Sequence, residues 1–302
     1  MHGWIILDKP VGPGSTEAVT AVKRSLRAGG YPRLKVGHGG TLDPLASGVL
    51  PVAVGEATKL AGRLLDGDKV YVFEIGFGTE TATLDREGAV VATSDVRPTL
   101  AEVDAVLPRF SGAIDQVPPA YSALKIDGAR AYDVARAGGE VGLAARRVTV
   151  HSLRWDGATA SEDRLDTLRL TAHVSKGTYV RSLARDIAHA LGTVGHVTLL
   201  HREKAGPFRA EQAISLDKLA ELGHARRLQE ILLPLRAGLD DIPALSLSPD
   251  QAGALRQGRV LAGIAADAVR DGGQAFAMLG DTPVALVEVR DRQVRVVRGF
   301  NL

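Results

Sequence analysis

One short stretch of the chain has the composition of a reactive corner. In Val36-Gly37-His38-Gly39-Gly40-Thr41-Leu42-Asp43-Pro44, a single acid follows three glycines and stands directly before a proline. Glycine permits backbone conformations closed to other residues and lets another molecule approach the main chain. Proline drives the residue before it out of the helical region, so the Asp43 carboxylate belongs on a stiff corner. The apolar run at 49–54 reads as a strand that anchors the corner in a core. On turn chemistry alone two readings stand: a Gly-rich turn whose Asp caps a local amide, or a carboxylate held out for acid–base or nucleophilic work. Between Glu17 and Asp43 lie Lys23, Arg24, Arg27, Arg33 and Lys35 with no acid among them. Such a cluster is either a solvated helix face or a surface that meets phosphates.

Other residue types narrow the chemistry by exclusion. The chain has no cysteine, which removes disulfides and thiolate ligation and fits a reducing cytosol. Its eight histidines show no paired His or carboxylate spacing, so no metal site is expected. No apolar stretch reaches bilayer-spanning length, and no basic-then-apolar leader opens the sequence, which places the protein in the cytoplasm and off membranes. Lys+Arg 37 against Asp+Glu 35 nearly cancel, so the whole-chain charge names no partner and local clusters must. A length of 302 residues accommodates roughly two domains.

The elements that must position these groups follow from periodicity. Residues 3–7 read as a buried first strand closed by Asp8-Lys9-Pro10. Ser15 or Thr16 is the expected cap of a helix with Val19, Val22 and Leu26 on one face. A short helix is expected at 58–65, then an alternating strand at 69–76. Thr99 and Glu102 have capping-box spacing ahead of a helix bearing Val103, Val106 and Leu107. Strands are expected at 148–153, 166–174 and 194–202. Between the last two, Leu183, Ile187 and Leu191 recur at helical spacing. The segment 216–239 reads as helical, broken near Pro234 and Gly238. From about residue 246 a short helix at 249–256 precedes three strand-like runs at 275–279, 283–289 and 294–297.

The string Gly37-His38-Gly39-Gly40-Thr41-Leu42-Asp43-Pro44-Leu45-Ala46-Ser47-Gly48-Val49-Leu50-Pro51 resembles the active-site segment of the TruB family of tRNA pseudouridine(55) synthases, bacterial type. Asp8-Lys9-Pro10-Val11-Gly12, the polar stretch 79–88, the segment 118–132 and Ser175-Lys176-Gly177-Thr178-Tyr179-Val180-Arg181 are similar to further motifs of that family. The likeness covers residues 3–215 well and the tail weakly. It implies an α+β pseudouridine-synthase-like fold, a mixed, largely antiparallel sheet flanked by helices. Residues 1–240 would form the catalytic domain, with an RNA-contacting excursion at 116–139. Residues 241–302 would form a small β-rich, PUA-like RNA-binding module.

The implied reaction converts uridine to pseudouridine at position 55 of the tRNA T-loop, without cofactor. By that resemblance Asp43 is the catalytic carboxylate, Arg181 grips it, and Tyr71 and Tyr179 wall the base pocket. Leu200 adds an apolar wall, and His38 fills the gap left by the extracted base. Lys125 and Arg202 would meet RNA. Two departures stand out: Pro13-Gly14-Ser15-Thr16 varies the opening motif, and His201 replaces a common Arg. The implied partner is the T-arm of tRNA, met by a monomer with no obligatory protein partner. The rivals are a non-catalytic RNA-binding or RNA-folding protein on the same scaffold, and a synthase for another RNA. The full set Asp43, Tyr71, Tyr179 and Arg181 argues for catalysis, since binding alone would not need all four.

Overall fold

The computed structural model describes every residue except 123, 127, 128, 138–141, 162, 240, 241 and 264–268, and omits the side chains of 125, 126, 129, 130, 135 and 161. The chain opens with β1 (Gly3–Lys9), α1 (Ser15–Ala28), β2 (Val36–His38), β3 (Ala46–Val54), α2 (Ala61–Asp66) and β4 (Lys69–Phe77). A small hairpin of β5 (Thr79–Thr81) and β6 (Val90–Thr93) leads to α3 (Leu100–Val106) and β7 (Gly112–Gln116). The excursion carries β8 (Lys125–Ile126), β9 (Ala129–Arg130) and α4 (Ala131–Arg136). Long strands β10 (Arg146–Ser161) and β11 (Arg164–Val174) follow, then α5 (Val180–Ala190), β12 (Gly195–Ala205), β13 (Phe208–Arg209) and α6 (Leu216–His224). The tail contains β14 (Ala244–Ser246), α7 (Pro249–Arg256), β15 (Leu261–Ala262), β16 (Gly273–Leu279), β17 (Thr282–Arg290) and β18 (Gln293–Gly299).

The main sheet runs β1-β3-β12-β4-β11-β10-β7, with β2 beside β3 and β13 beside β12. Its pairings are antiparallel except β3 with β12, which run parallel from Ala46 opposite Leu200. This is the mixed, largely antiparallel α+β architecture that the sequence implied. The one parallel pairing is what brings the Asp43 corner beside the middle of the sheet. Helix α5 packs Leu183, Ala184 and Ile187 onto Phe73, Ile75, Leu168 and Leu170. Helices α1 and α6 cover Ile5, Leu7, Leu50 and Val52 with Val19, Val22, Leu219 and Leu222.

The tail forms a second sheet, β14-β16-β17-β18-β15, over a core of Leu245, Leu255, Val287 and their neighbours. It also shares a core with the first sheet: Phe276, Met278, Leu286 and Phe300 pack with Trp4, Leu60 and Phe208. Among the described residues no helix is long and apolar enough to cross a membrane.

Three local expectations change. Helix α1 is capped by Gly14, with Glu17 accepting the Gly14 N–H at 2.6 Å, rather than by Ser15 or Thr16. The Ser15 hydroxyl is committed elsewhere. The 58–65 helix is split into a 3₁₀ turn at Gly55–Lys59 and α2. The 216–239 segment is α6 followed by two 3₁₀ turns, Leu228–Ile231 and Leu235–Gly238. Each turn buries one leucine, Leu228 or Leu235, so a helical apolar pattern is met without a continuous helix.

Candidate active site

Residues 39–45, which carry Asp43, are largely irregular and are held by side chains from distant elements. The buried Ser15 hydroxyl donates to the Leu42 carbonyl at 2.9 Å and accepts the Leu42 N–H at 2.8 Å. Arg202, almost wholly buried in β12, donates to the carbonyls of Val49 (2.8 Å), Thr41 (3.2 Å) and Gly40 (3.1 Å). The Lys9 ammonium donates to Pro10, Pro13 and, at 3.4 Å, Pro44. Burial pushes the Lys9 pKa below the usual ammonium range, with the Asp43 charge acting the other way. Main-chain bonds complete the clamp: Gly12 N–H to the Pro44 carbonyl and Gly39 N–H to that of Pro51.

Of the three glycines before Asp43, Gly40 is the one with positive φ, at +137°. Further on, Gly48 lies so close to β12 that a Cβ would sit 2.3 Å from the Arg202 carbonyl oxygen. A side chain there would force the corner away from the sheet.

The corner ends on Arg181. This residue is the second of α5, its side chain is 8% exposed, and its Nη2 lies 2.8 Å from Asp43 Oδ2. The same guanidinium donates to the carbonyls of Thr83 (2.8 Å) and Tyr121 (3.0 Å) and lies 3.5 Å from Asp85 Oδ2. Asp43 is 44% exposed, whereas Asp85 is 9% exposed, so one carboxylate faces solvent and its counterpart is sealed. The helix start is itself fixed: the buried Gln116 amide accepts the Tyr179 N–H at 2.8 Å and donates to the Tyr179 carbonyl at 3.1 Å.

Asp85 is folded into its own turn. Thr83 donates to its carboxylate, as does the Glu87 N–H at 3.0 Å, and Thr81 donates to its carbonyl at 2.5 Å. Leu84 holds this turn in the left-handed region at φ 63° while its side chain is buried. Non-glycine residues pay roughly 1–2 kcal/mol for that conformation. It aims the Thr83 carbonyl and the Asp85 carboxylate at one guanidinium.

Beside the pair opens a cleft of about 310 Å³. Tyr71, Tyr179, Leu200 and Lys69 line it together with Asp43 and Arg181. Strand pairing explains the convergence: Tyr71 lies opposite Ala172 on β11 and Arg202 on β12, while Leu200 lies opposite Phe73 and beside Ala46. Burial pushes the Tyr179 phenol up, which keeps it uncharged. A second recess of about 270 Å³, lined by Glu74, Val197 and Leu199, lies on the other side of the same ion pair.

The expected site residues divide. Asp43, Arg181, Tyr71, Tyr179 and Leu200 surround one cleft. His38 is not among the residues lining it: it sits on β2 opposite Val52, half-buried, and burial with the nearby Arg202 charge lowers its pKa. Arg202 borders the cleft, but its guanidinium is spent on loop carbonyls instead of being offered to RNA. His201, the departure from the family pattern, meets the Ser47 hydroxyl at 2.9 Å. The Lys125 and Arg130 side chains and residues 123 and 128 lie outside the described residues. Of the basic cluster, Lys23, Arg27, Arg33 and Lys35 line a groove of about 810 Å³ that ends beside Gly37.

Sequence reasoning passed over Gln116, Asp85 and Lys69, single polar residues in apolar or turn surroundings, and gave Ser15 the role of a helix cap. The Lys69 ammonium bonds the Leu64, Leu65 and Gly67 carbonyls at 2.9, 2.7 and 2.5 Å. Burial lowers its pKa to about 8. The spacing of the histidines also hid a grouping: Asp68, in the link before β4, comes together with His151 on β10 and His173 on β11, where no metal-type cluster was expected.

Residues 24–180 match the N-terminal domain of the TruB family of pseudouridylate synthases, and residues 181–240 match the C-terminal domain of tRNA pseudouridylate synthase B. The chain belongs to the TruB family. It is 65% identical over its whole length, and 98% of the relative's, to tRNA pseudouridine synthase B of Novosphingobium aromaticivorans. It is 59% identical to the protein of that name from Zymomonas mobilis, covering all of this chain and 96% of the relative. Among solved structures, a chain in a Cbf5-Nop10-Gar1 complex superposes with a TM-score of 0.73 at 26% identity, over 99% of this chain and 84% of that one. The TruB pattern thus spans both walls of the cleft, the Asp43 loop and the start of α5.

Proposed function

We propose that this protein isomerises uridine to pseudouridine at position 55 in the tRNA T-loop, with the Asp43 carboxylate as the reacting group. The observation that carries the reading is the 2.8 Å pairing of a half-exposed Asp43 with a buried Arg181 at the mouth of a cleft walled by two tyrosines and a leucine. In the reaction the bond from ribose C1′ to uracil N1 breaks, the base turns, and a bond from C1′ to C5 forms. The C5 proton leaves and N1 gains one, so atoms and electrons balance within the nucleotide. A carboxylate serves this sequence as nucleophile or as base, and a guanidinium suits it because its fork stays charged and holds the acid in one orientation.

A base inside folded RNA must be extruded to reach such a cleft, at a cost of a few kcal/mol. One base–aromatic stack returns roughly 1–3 kcal/mol, so Tyr71 and Tyr179 are of the right number and kind to offset that cost. The cleft volume falls in the range of small-ligand pockets, roughly 300–1,000 Å³. The basic groove from Lys23 to Lys35 supplies phosphate contacts, and shape rather than groove reading selects the loop. The proposal includes action as a monomer in the cytoplasm, without an obligatory protein partner.

Incubation with unmodified tRNA followed by mapping of pseudouridine tests the reading. Modification confined to the T-loop uridine is expected. Modification elsewhere in tRNA, or none, refutes the site assignment. Affinity for a T-arm stem-loop should fall steeply with salt, by about 0.7–0.9 log units per phosphate contact for each tenfold rise. A flat response would remove the basic groove from the account.

A further inference from the structure

Asp68 lies in the link between α2 and β4, His151 on β10 and His173 on β11. Nε2 of His151 is 3.1 Å from Asp68 Oδ2, and Nε2 of His173 is 3.7 Å from the same oxygen. The two imidazole rings are 4.7 Å apart at 44°. All three donor atoms fall within 4.8 Å of one another. Ligands held at about 2.0–2.2 Å around a tetrahedral ion are separated by roughly 3.4 Å, a value these distances bracket.

The fold builds this convergence. Val150 pairs with Val174 and Ser152 with His173, so His151 is the extra residue of a β-bulge. Bulges re-aim side chains and concentrate beside functional sites. Here the bulge sets His151 against His173. On the third strand His173 pairs with Val70, which places Asp68 at the end of the same row. The link is pinned at both sides of Asp68: its carbonyl accepts the Gly206 N–H at 2.9 Å, and Lys69 grips the Gly67 carbonyl.

A second observation points to a ligand. His173 Nε2 is shut off from solvent and has no hydrogen-bond partner. The His151–Asp68 pair is at hydrogen-bond distance, whereas His173 Nε2 stands 3.7 Å from the same carboxylate oxygen, too far for a hydrogen bond. A recess of about 510 Å³ gives access; Asp66, itself paired with Lys176 at 2.9 Å, lines it together with Lys204 and Arg63. Two imidazoles and one carboxylate favour a first-row transition ion of the zinc type; magnesium and calcium prefer oxygen-only sets.

We propose that Asp68, His151 and His173 bind one divalent transition-metal ion, Zn²⁺ or its like, clamping β4, β10 and β11 together. The clamp lies behind the uridine cleft: Lys69 and Val174, the residues next to Asp68 and His173, line that cleft, and successive side chains of a strand point to opposite faces. Its role is to steady the cleft wall, with open coordination positions left to solvent or to an RNA phosphate.

Untagged full-length protein, stripped with a chelator, is titrated with Co²⁺ followed by optical absorption and with Zn²⁺ followed by calorimetry and thermal melting. Saturation at one ion per chain, with a raised Tm, is expected. Substitutions that only reorient a metal ligand cost about 10–100-fold in affinity. His151→Ala, which removes an exposed ligand outright, should therefore cost at least about 100-fold. Excess Mg²⁺ should not compete. His173→Gln, closer in shape, repeats the test should His151→Ala unfold, as judged by circular dichroism. Absence of saturable uptake, or uptake unchanged in a folded His151→Ala or His173→Gln protein, overturns the proposal.

Discussion

Two loops end on the guanidinium of Arg181, and they are built in opposite ways. The Asp43 loop owes its shape to partners far away in the chain: Ser15, Lys9 and Arg202 hold its backbone from three elements. The Asp85 turn is held locally, by Thr81, Thr83 and the Glu87 N–H, with Leu84 in a left-handed conformation at its centre. One carboxylate is left half-exposed at the cleft and the other is sealed behind the arginine. A single cation thus holds the acid proposed to react on one side and a buried acid on the other. Long-range clamping fixes where the exposed acid stands, and local strain fixes where the arginine's second contact stands.

Substitutions separate the two roles. Asp43→Asn is expected to lower pseudouridine formation by more than about 10²-fold, the low end for losing a positioned acid–base group. RNA affinity, read by filter binding, should stay within about tenfold. Arg202→Met takes the guanidinium donors from two buried carbonyls and one part-buried one and should destabilise the fold by about 3 kcal/mol or more, seen in urea unfolding, with turnover falling alongside. Asp85→Asn keeps shape but removes one charge from the arginine. It should cost about tenfold in turnover, or about 1.4 kcal/mol, with affinity unchanged. A loss as deep as that of Asp43→Asn would mean that both loops carry chemistry. Ser15→Ala should be mildest, at about 1 kcal/mol of stability, because one hydroxyl is lost from a loop with other holds. If Ser15→Ala proves worse than Arg202→Met, the clamp runs through α1 rather than the sheet.

The sequence carried the architecture well because its strands alternate and its helices are amphipathic. The tail's helix and three strands fall within a few residues of where periodicity put them. Asp43, Tyr71, Tyr179, Leu200 and Arg181 could be named because a family motif marks them, and they do share one cleft. What could not be read depends on register. Nothing near Arg202 in sequence reveals that β12 runs parallel to β3 and turns its guanidinium into the loop. Ser15 looks like a helix cap until Leu42 is seen to occupy its hydroxyl. The bulge at His151 is likewise a property of two strands pairing, so the meeting of His151, His173 and Asp68 has no counterpart in histidine spacing.

The apolar seam between the two sheets has a mechanical consequence. Phe276, Met278, Leu286 and Phe300 interlock with Trp4 and Phe208, and Lys59 and Glu56 reach the main chain at Gly299 and Asn301. A tail seated in this way does not swing on a tether. Strands β16–β18 therefore stand at a set distance from Asp43, and an RNA that met both would be gauged as by a caliper with a welded jaw.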